Sequence, residues 1–375
     1  MQSIEGPIEG PIEAPRATLS QDVLGDVLLL AQPRVILIEM LPIDTAELIH
    51  ARDRLLAGDV VAMPTETVYG LAAAISKHEG LKKIFSLKER PYFDPLIVHV
   101  GSFKQAISVV KEWPPLADFL ARSFWPGPLT LVLPKADHID SIITSGLDTV
   151  AVRLPAHPLA QDLIRITGCP LAAPSANKFG RTSPSTAQHV RSEFPDFDLF
   201  ILDGGPCEIG LESTVVSLEA NTSSGSSVNN ETILRILRPG GITEEQIRTA
   251  LTKWGQPVQI TKAESTASPG HLKHHYMPKI PLVIVKASAS SGLSRLTLEQ
   301  IQRDLKLSEV KNPLELKLSD TPSEAARELY SQMRFLCESG ADLLYVRATP
   351  ERSSGGLWDA IWDRLTRAAS LNLTV

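Results

Sequence analysis

The sequence predicts an α/β protein of two domains, and three observations lead there. From about residue 40 to residue 255, short apolar runs of strand length are mixed with amphipathic stretches of helical period. A segment over 256–281 containing Ser268-Pro269-Gly270 then interrupts the pattern, and strand and helix signals resume beyond it. At about 150 residues per domain, a chain of 375 residues has room for two.

The elements follow in order. Asp44-Thr45-Ala46-Glu47 resembles a capping box and Gly58 is a good helix stop, so a helix lies between them. Val60 to Met63 is a short buried strand that Pro64 ends, and a polar loop follows. Residues 77–88 read as a helix and Leu96 to Val100 as a strand. Leu129 to Leu133 and Thr149 to Arg153 are further strands, and a helix over 158–167 leads to Leu171-Ala172-Ala173. Strands at 199–202, 213–218 and 232–237 precede a helix capped by Thr243-Glu244-Glu245-Gln246. Asn221 to Asn230 reads as a solvated hairpin insertion. After the linker come a strand over 282–285, a helix opening at Thr321-Pro322-Ser323-Glu324 and ending at Gly340, a strand over 342–346 and a helix over 357–369. Nothing in this last part reads as a catalytic set.

Residues 1–40 are expected to be a tail, partly disordered. Its repeats of Ile-Glu-Gly-Pro carry acid and proline where a signal peptide needs a basic start and an apolar core. The net charge of −6 argues against nucleic-acid binding through one broad basic face. Three cysteines, none in a C-x-x-C pair, make a disulfide framework or structural zinc site an unfavoured reading and fit a reducing compartment, so a cytoplasmic location is expected. No apolar run approaches the ~20 residues of a membrane-spanning helix, and no membrane partner is expected.

Six clusters carry chemistry. Pro64-Thr65-Glu66-Thr67-Val68-Tyr69-Gly70 follows a buried strand, where ligands sit in open α/β sheets, although a capped turn looks the same. Lys88 and Arg90, in Lys88-Glu89-Arg90-Pro91, suit a polyphosphate, and a solvated basic turn is the bland alternative. His99 lies in an apolar strand, as core histidines also do. Arg153 ends another apolar strand and needs an anion, supplied by a substrate carboxylate or by an internal acid. Ala173-Pro174-Ser175-Ala176-Asn177 and Gly180 to Pro184 let backbone donors approach a phosphate. Gly210 to Val216 and Leu237-Arg238-Pro239-Gly240-Gly241 complete the set. There is no Walker A sequence, no G-x-G-x-x-G fingerprint and no apparent Ser–His–Asp set.

The order of these clusters closely resembles the YrdC-like family of threonylcarbamoyl-AMP synthases. The matching pieces are PTETVYGL, K-x-RP with PLIVHV, FWPGPLTLVL, VAVRLP, PLAAPSAN-x-FG-x-x-SP, ESTVV and LRPGGIT, over nearly all of 45–250. The linker's SPG and HYMP resemble the long form of the family. The resemblance implies a YrdC-like domain with a twisted mixed sheet and flanking helices over 41–255, a linker over 256–281 closing on the active site, and a smaller Rossmann-like domain over 282–375.

It also implies a nucleotidyltransferase that makes threonylcarbamoyl-AMP and pyrophosphate from L-threonine, bicarbonate or CO2, and ATP with Mg²⁺. The product would serve threonylcarbamoyladenosine modification of tRNA next to the anticodon, through a partner transferase. Thr67, His99, Arg153, Ala173 and Ser213 match threonine-site positions. Lys88, Arg90, Asp94, Thr149, Ser175, Ser183 and Arg238 match nucleotide-site positions, with Asn177 supporting the phosphate loop and Tyr276 closing over the nucleotide. Lys88 and Arg90 would neutralise charge in the reaction, and no dedicated nucleophile or protein-held metal is expected.

Two positions depart from the family pattern. Asp94 stands where Asn is usual, and a carboxylate facing phosphates is unfavourable unless protonated or bridged through Mg²⁺. His271 replaces a common Met, giving a group with His274 and His275 that reads as solvated or phosphate-facing rather than metal-binding. One rival reading is a non-catalytic module for double-stranded RNA or tRNA, and weak RNA binding stays open beside the enzymatic reading. Another is carbamoyl transfer of the hydrogenase-maturation type, whose zinc modules three cysteines cannot supply.

Overall fold

The computed structural model describes residues 45–220, 232–262, 275–286, 295–349 and 354–374. The N-terminal tail, the insertion Asn221 to Asn230, Ser268-Pro269-Gly270, His271 and His274 lie outside the described residues. Everything described falls in one compact unit.

In chain order, the first part contains α1 (Thr45–Leu56), β1 (Val61–Met63), β2 (Gly70–Ala74), α2 (His78–Lys88) and β3 (Ile97–His99). Next come α3 (Phe103–Ser108), α4 (Pro115–Phe124), β4 (Leu129–Pro134), α5 (Ser141–Thr144), β5 (Thr149–Arg153), α6 (Pro158–Thr167) and β6 (Leu171–Ala172). It closes with α7 (Ala187–Glu193), β7 (Phe200–Ile201), β8 (Thr214–Ala220), β9 (Thr232–Arg238), α8 (Glu244–Leu251) and β10 (Val258–Lys262). Among the described residues these strands form a ten-stranded mixed sheet ordered β10-β9-β8-β4-β5-β3-β6-β2-β1-β7. Its core is aliphatic, from Leu71, Val98, Leu131 and Val152 on the strands to Leu81, Ile84 and Leu120 on the helices.

The helices start and stop where the sequence provides for it. In α6, Pro158 fills the first turn, the His157 ring accepts from the Leu159 amide, and Gly168 closes the helix in the left-handed region. Thr243 and Gln246 form the expected reciprocal capping box of α8. α2 ends differently: Glu89 takes the left-handed conformation at φ 52 and turns the chain between Lys88 and Arg90. Its carboxylate pairs with Lys178 at 2.8 Å.

The second part contains β11 (Leu282–Lys286), α9 (Arg295–Leu305), β12 (Pro313–Glu315), α10 (Pro322–Glu338), β13 (Leu343–Ala348), α11 (Leu357–Ala368) and β14 (Leu371–Thr374). Its sheet is parallel throughout, ordered β12-β13-β11-β14. One apolar cluster joins Leu282, Ile284 and Leu344 to α10 and α11, and another joins Val283, Val285 and Leu343 to Ile301 of α9. Alternate residues of β11 therefore face helices on both sides, as a doubly covered parallel sheet requires.

The segment expected to be a linker over 256–281 is shorter. Val258-Gln259-Ile260-Thr261-Lys262 pairs in parallel with β9 as β10 and belongs to the large sheet. Alternation of apolar and polar residues in this run is the strand signal. Among the described residues, no helix is long and apolar enough to cross a membrane.

Candidate active site

All six clusters contribute to one cavity at an end of the large sheet. Strands β3 and β5 run parallel with His99 opposite Arg153, so both side chains arrive at the same sheet end. The loop after β1 crosses beside them. There the Thr65 hydroxyl accepts from the amides of Thr67 and Val68 at 3.2 and 3.1 Å and donates to the Val68 carbonyl at 2.6 Å. With its proton engaged, Thr65 accepts from Thr67 at 2.8 Å. Thr67 in turn accepts from Arg153 Nη1 at 2.9 Å.

Arg153 is 3 % exposed, and its Nη2 lies 2.7 Å from Glu66 Oε1. Both alternatives left open by the sequence bear on this arginine: an internal acid is present, and the guanidinium still lines a cavity. His99 is buried, with Nδ1 3.2 Å from the Ile97 carbonyl. Burial, reinforced by the neighbouring charge of Arg153, pushes its pKa down to about 3, so the ring is neutral. Thr67, His99, Arg153, Ala173 and Ser213, expected together around threonine, all line this cavity.

The adjoining wall is cationic. Arg90, Ser175, Arg238 and Tyr276 line the same cavity. Arg238 donates through Nε and Nη2 to the Ser213 carbonyl at 3.1 and 2.9 Å, and through Nη2 to the Ser213 hydroxyl at 3.1 Å. Arg90 donates to the carbonyls of Asp94 and Pro95 at 3.1 and 2.9 Å. Its Nη2 also lies 2.9 Å from Asp94 Oδ2, both side chains being buried. Asp94 therefore faces Arg90, and burial nevertheless raises its pKa above the usual carboxylate range, against the pull of Arg90, Lys88 and Arg238.

Five expected nucleotide residues, Asp94 among them, do not line the cavity, and their contacts explain why. Lys88 is 1 % exposed and donates to the carbonyls of Ser175, at 2.6 Å, and Asn177. Burial, then the nearby Arg90, pushes its pKa well down. It ties the 175–177 loop to the end of α2. Asn177 donates to the carbonyls of Lys178 and Arg181 at 2.7 and 2.9 Å, shaping the same loop. Ser183 donates to Glu212 Oε1 at 2.6 Å. Thr149 begins β5 opposite Pro134, at the other end of the strand from Arg153.

Sequence reading gave Tyr330 and Arg364 no role, held Glu212 only as part of the 210–216 cluster, and left His275 as solvated or phosphate-facing. Glu212 and His275 line the cavity, while Tyr330 and Arg364 reach Glu212 from the second sheet's helices. His275 and Tyr276 line the cavity, whose volume is about 50 Å³. Both are buried, and among the described residues neither His275 Nδ1 nor the Tyr276 hydroxyl has a hydrogen-bond partner. Tyr276 takes a positive φ of 65, rare for a bulky residue. The next residue is strapped down, its amide donating to the Gly180 carbonyl at 2.8 Å and its carbonyl accepting from the Thr182 amide at 3.2 Å. Among the described residues, no group of three or more His, Cys, Asp or Glu is placed to hold a metal ion.

Residues 53–240 match the Sua5/YciO/YrdC family model, described as "Telomere recombination". Residues 242–370 match the model described as "Threonylcarbamoyl-AMP synthase, C-terminal domain". The chain is 38% identical over 328 residues to the threonylcarbamoyl-AMP synthase of Pyrococcus abyssi, covering 84% of this chain and 92% of that protein. It is 37% identical to the Bacillus subtilis protein of the same name, over 83% of this chain and 89% of the other. The solved structure of P. abyssi Sua5 complexed with L-threonine superposes with a TM-score of 0.70 at 34% identity, over 88% of this chain and 96% of that one. These likenesses and the small polar cavity favour the catalytic reading over a non-catalytic RNA-binding module. With both parts matched in order, the chain belongs to the threonylcarbamoyl-AMP synthase family in its two-domain form.

Proposed function

We propose that this protein is an L-threonylcarbamoyladenylate synthase, converting L-threonine, bicarbonate or CO2, and ATP into threonylcarbamoyl-AMP and pyrophosphate. The observation that carries the reading is the buried Arg153 at the meeting of β3 and β5, in one cavity with Thr67, His99 and Ser213 and with the cations Arg90 and Arg238. A fixed guanidinium in a dry site recognises a carboxylate bidentately, and the neighbouring arginines supply the charge that a polyphosphate needs.

The threonine amine, losing a proton, attacks CO2 to form a carbamate. A carbamate oxygen then forms a bond to the α-phosphorus of ATP. The α–β bridging P–O bond breaks, and its electron pair leaves with pyrophosphate. This needs positioning and charge neutralisation more than a protein nucleophile. Arg90 and Arg238 act on the phosphates, while Lys88 holds the Ser175–Asn177 loop from behind. Mg²⁺ enters on the phosphates of ATP, as part of the substrate. His275 and Tyr276 are buried against this small cavity, and substrates enter when these residues move aside. On return, the Tyr276 hydroxyl and His275 Nδ1, without partners among the described residues, can hydrogen-bond with the bound ligand, and water is kept from the hydrolysable carbamate.

The adenylate would pass to a transferase that modifies tRNA next to the anticodon. We place this work in the cytoplasm, consistent with the unpaired Cys169, Cys207 and Cys337. The test is pyrophosphate release from ATP, Mg²⁺ and bicarbonate with labelled L-threonine, with serine as control. Threonine- and bicarbonate-dependent release, lost in Arg153→Ala, is expected. No turnover, with neither threonine nor ATP bound in calorimetry, would remove the assignment.

A further inference from the structure

The first domain's site is closed in part by side chains of the second domain. α10 lies across the loops that carry Ser183 and Ser213. Gly210, at φ 76, packs so closely that a Cβ there would sit 2.5 Å from the Arg327 carbonyl oxygen. Arg327 Nε donates to the Glu208 carbonyl at 2.8 Å, and the Ser185 and Ser331 hydroxyls meet at 2.9 Å.

The centre of this contact is charged and dry. Glu212 lines the cavity. Its carboxylate accepts from Arg364 Nε at 2.8 Å, from the Tyr330 hydroxyl at 3.0 and 3.1 Å, and from Ser183 at 2.6 Å. Arg364 and Tyr330 are 0% exposed. The Arg364 guanidinium also lies 5.1 Å from the centre of the Tyr276 ring, which stacks on Tyr330 at 6.0 Å. A carboxylate in a cavity meant for phosphates repels its ligand unless a counter-ion neutralises it. An ion pair left buried with one partner removed is strongly unfavourable.

Resting on the functional reading above, we propose that Arg364 is a positioning residue of the ATP site. It neutralises Glu212 and holds Glu212, Ser183 and Tyr276 in the arrangement that admits the nucleotide. The second domain thus completes the nucleotide half of the site and leaves the threonine half to the first. The charge state supports this: burial works to raise the Glu212 pKa, but Arg364 and Arg238 outweigh it and hold it at about 2.

The experiment measures ATP and threonine binding by calorimetry, and KM for each, on the full chain. The variants are R364M, R364K and R364M/E212Q. For R364M, ATP affinity is expected to fall at least tenfold at pH 8 while threonine affinity stays within twofold. The ATP loss should shrink at pH 5.5, as Glu212, keeping Arg238 but without the Arg364 that it shared with Asp363, takes a proton. R364M/E212Q should recover at least fivefold, because the unpaired charge is gone, and R364K should lie between R364M and the wild type.

Unchanged ATP affinity in R364M overturns the proposal. So does an equal loss for both substrates, independent of pH and without recovery in the double variant, which is what a merely structural role gives. If R364M does not fold by circular dichroism, Tyr330→Phe decides: ATP about threefold weaker with threonine unchanged supports the proposal, and unchanged ATP overturns it. A wild-type protein that binds ATP without threonine-dependent turnover would sink the reaction assigned above, yet the ATP arm would still decide the role of Arg364. A wild-type protein that binds no ATP would overturn both.

Discussion

Arg153 Nη2 and Glu66 Oε1 lie 2.7 Å apart, and both side chains are buried. The contact is an ion pair without an aligned hydrogen bond at either carboxylate oxygen. Arg153 is therefore compensated before any substrate arrives, and a substrate carboxylate would join Glu66 around one guanidinium. Replacing Glu66 by Gln removes the resident anion and leaves a buried cation. The ligand-free protein should lose about 3 kcal/mol of stability, the lower end for a broken buried pair. L-Threonine should then raise the melting temperature of Glu66→Gln more than that of the wild type, because it restores the missing charge. An equal or smaller shift in differential scanning fluorimetry would contradict this account.

Asp94 and Arg90 form the second buried pair, at 2.9 Å. Asp94→Asn releases Arg90 from its carboxylate while keeping a side chain of the same size. KM for ATP should fall about three- to tenfold, a gain of ~1 kcal/mol in phosphate binding. KM for threonine should not move. A rise in KM for ATP would show that Asp94 serves the nucleotide directly, for example through Mg²⁺.

Buried histidines set the acid limit of stability, His99 and His275 foremost, with His189 and His157 shifted the same way by burial. Burial lowers the first two to about 3, with Arg153 adding to the shift at His99. An unfolded histidine titrates near 6.5, so below that pH the unfolded chain binds more protons than the folded one. Their contribution is fully present above about pH 6.5 and is lost progressively as pH falls towards 3. Urea midpoints measured from pH 8 to pH 4 should be flat above about 7 and fall below 6.5, before ordinary carboxylates titrate. His99→Gln should flatten that fall. A wild-type profile that is level down to pH 5 would refute it.

Gly240 packs directly against the backbone of residues 212–214. A Cβ there would sit 2.4 Å from the Glu212 carbonyl oxygen, 2.4 Å from the Ser213 carbonyl carbon and 2.5 Å from the Thr214 nitrogen. Backbone cannot turn aside as a flexible side chain can. Gly240→Ala should cost about 2 kcal/mol or more in urea unfolding and lower threonine-dependent turnover by displacing Ser213. Gly168→Ala is the comparison: nothing lies within 4 Å of its Cβ, and only its φ of 74 is strained. It should cost about 1 kcal/mol with turnover retained.

Local chemistry was enough to write much of this protein from its sequence. Period and caps specify α6, α8, α10 and α11, because these helices carry their own proline, capping box or apolar stripe. The strands ending at His99 and Arg153 were legible as apolar runs closed by a polar residue. β2, Gly-Leu-Ala-Ala-Ala, was not, because glycine and alanine have little strand preference of their own. It is a strand because β1 and β6 flank it and pair with it.

What the sequence by itself determined was the α/β class, the identity of the clusters and the need of a buried Arg153 for an anion. Tertiary structure alone decided which anion is resident: Glu66, three residues before Tyr69 and far from Arg153 in the chain, reaches it only because the loop after β1 crosses the end of β5. It also decided that Lys88 serves the 175–177 loop, and that Arg364 and Tyr330 of the second domain reach Glu212 of the first. The physical reason is the range of the forces involved. Helix caps, turns and periodicity act over a few residues and are written locally. A buried charge is balanced by whatever the fold brings within about 3 Å of it, which no stretch of sequence specifies alone.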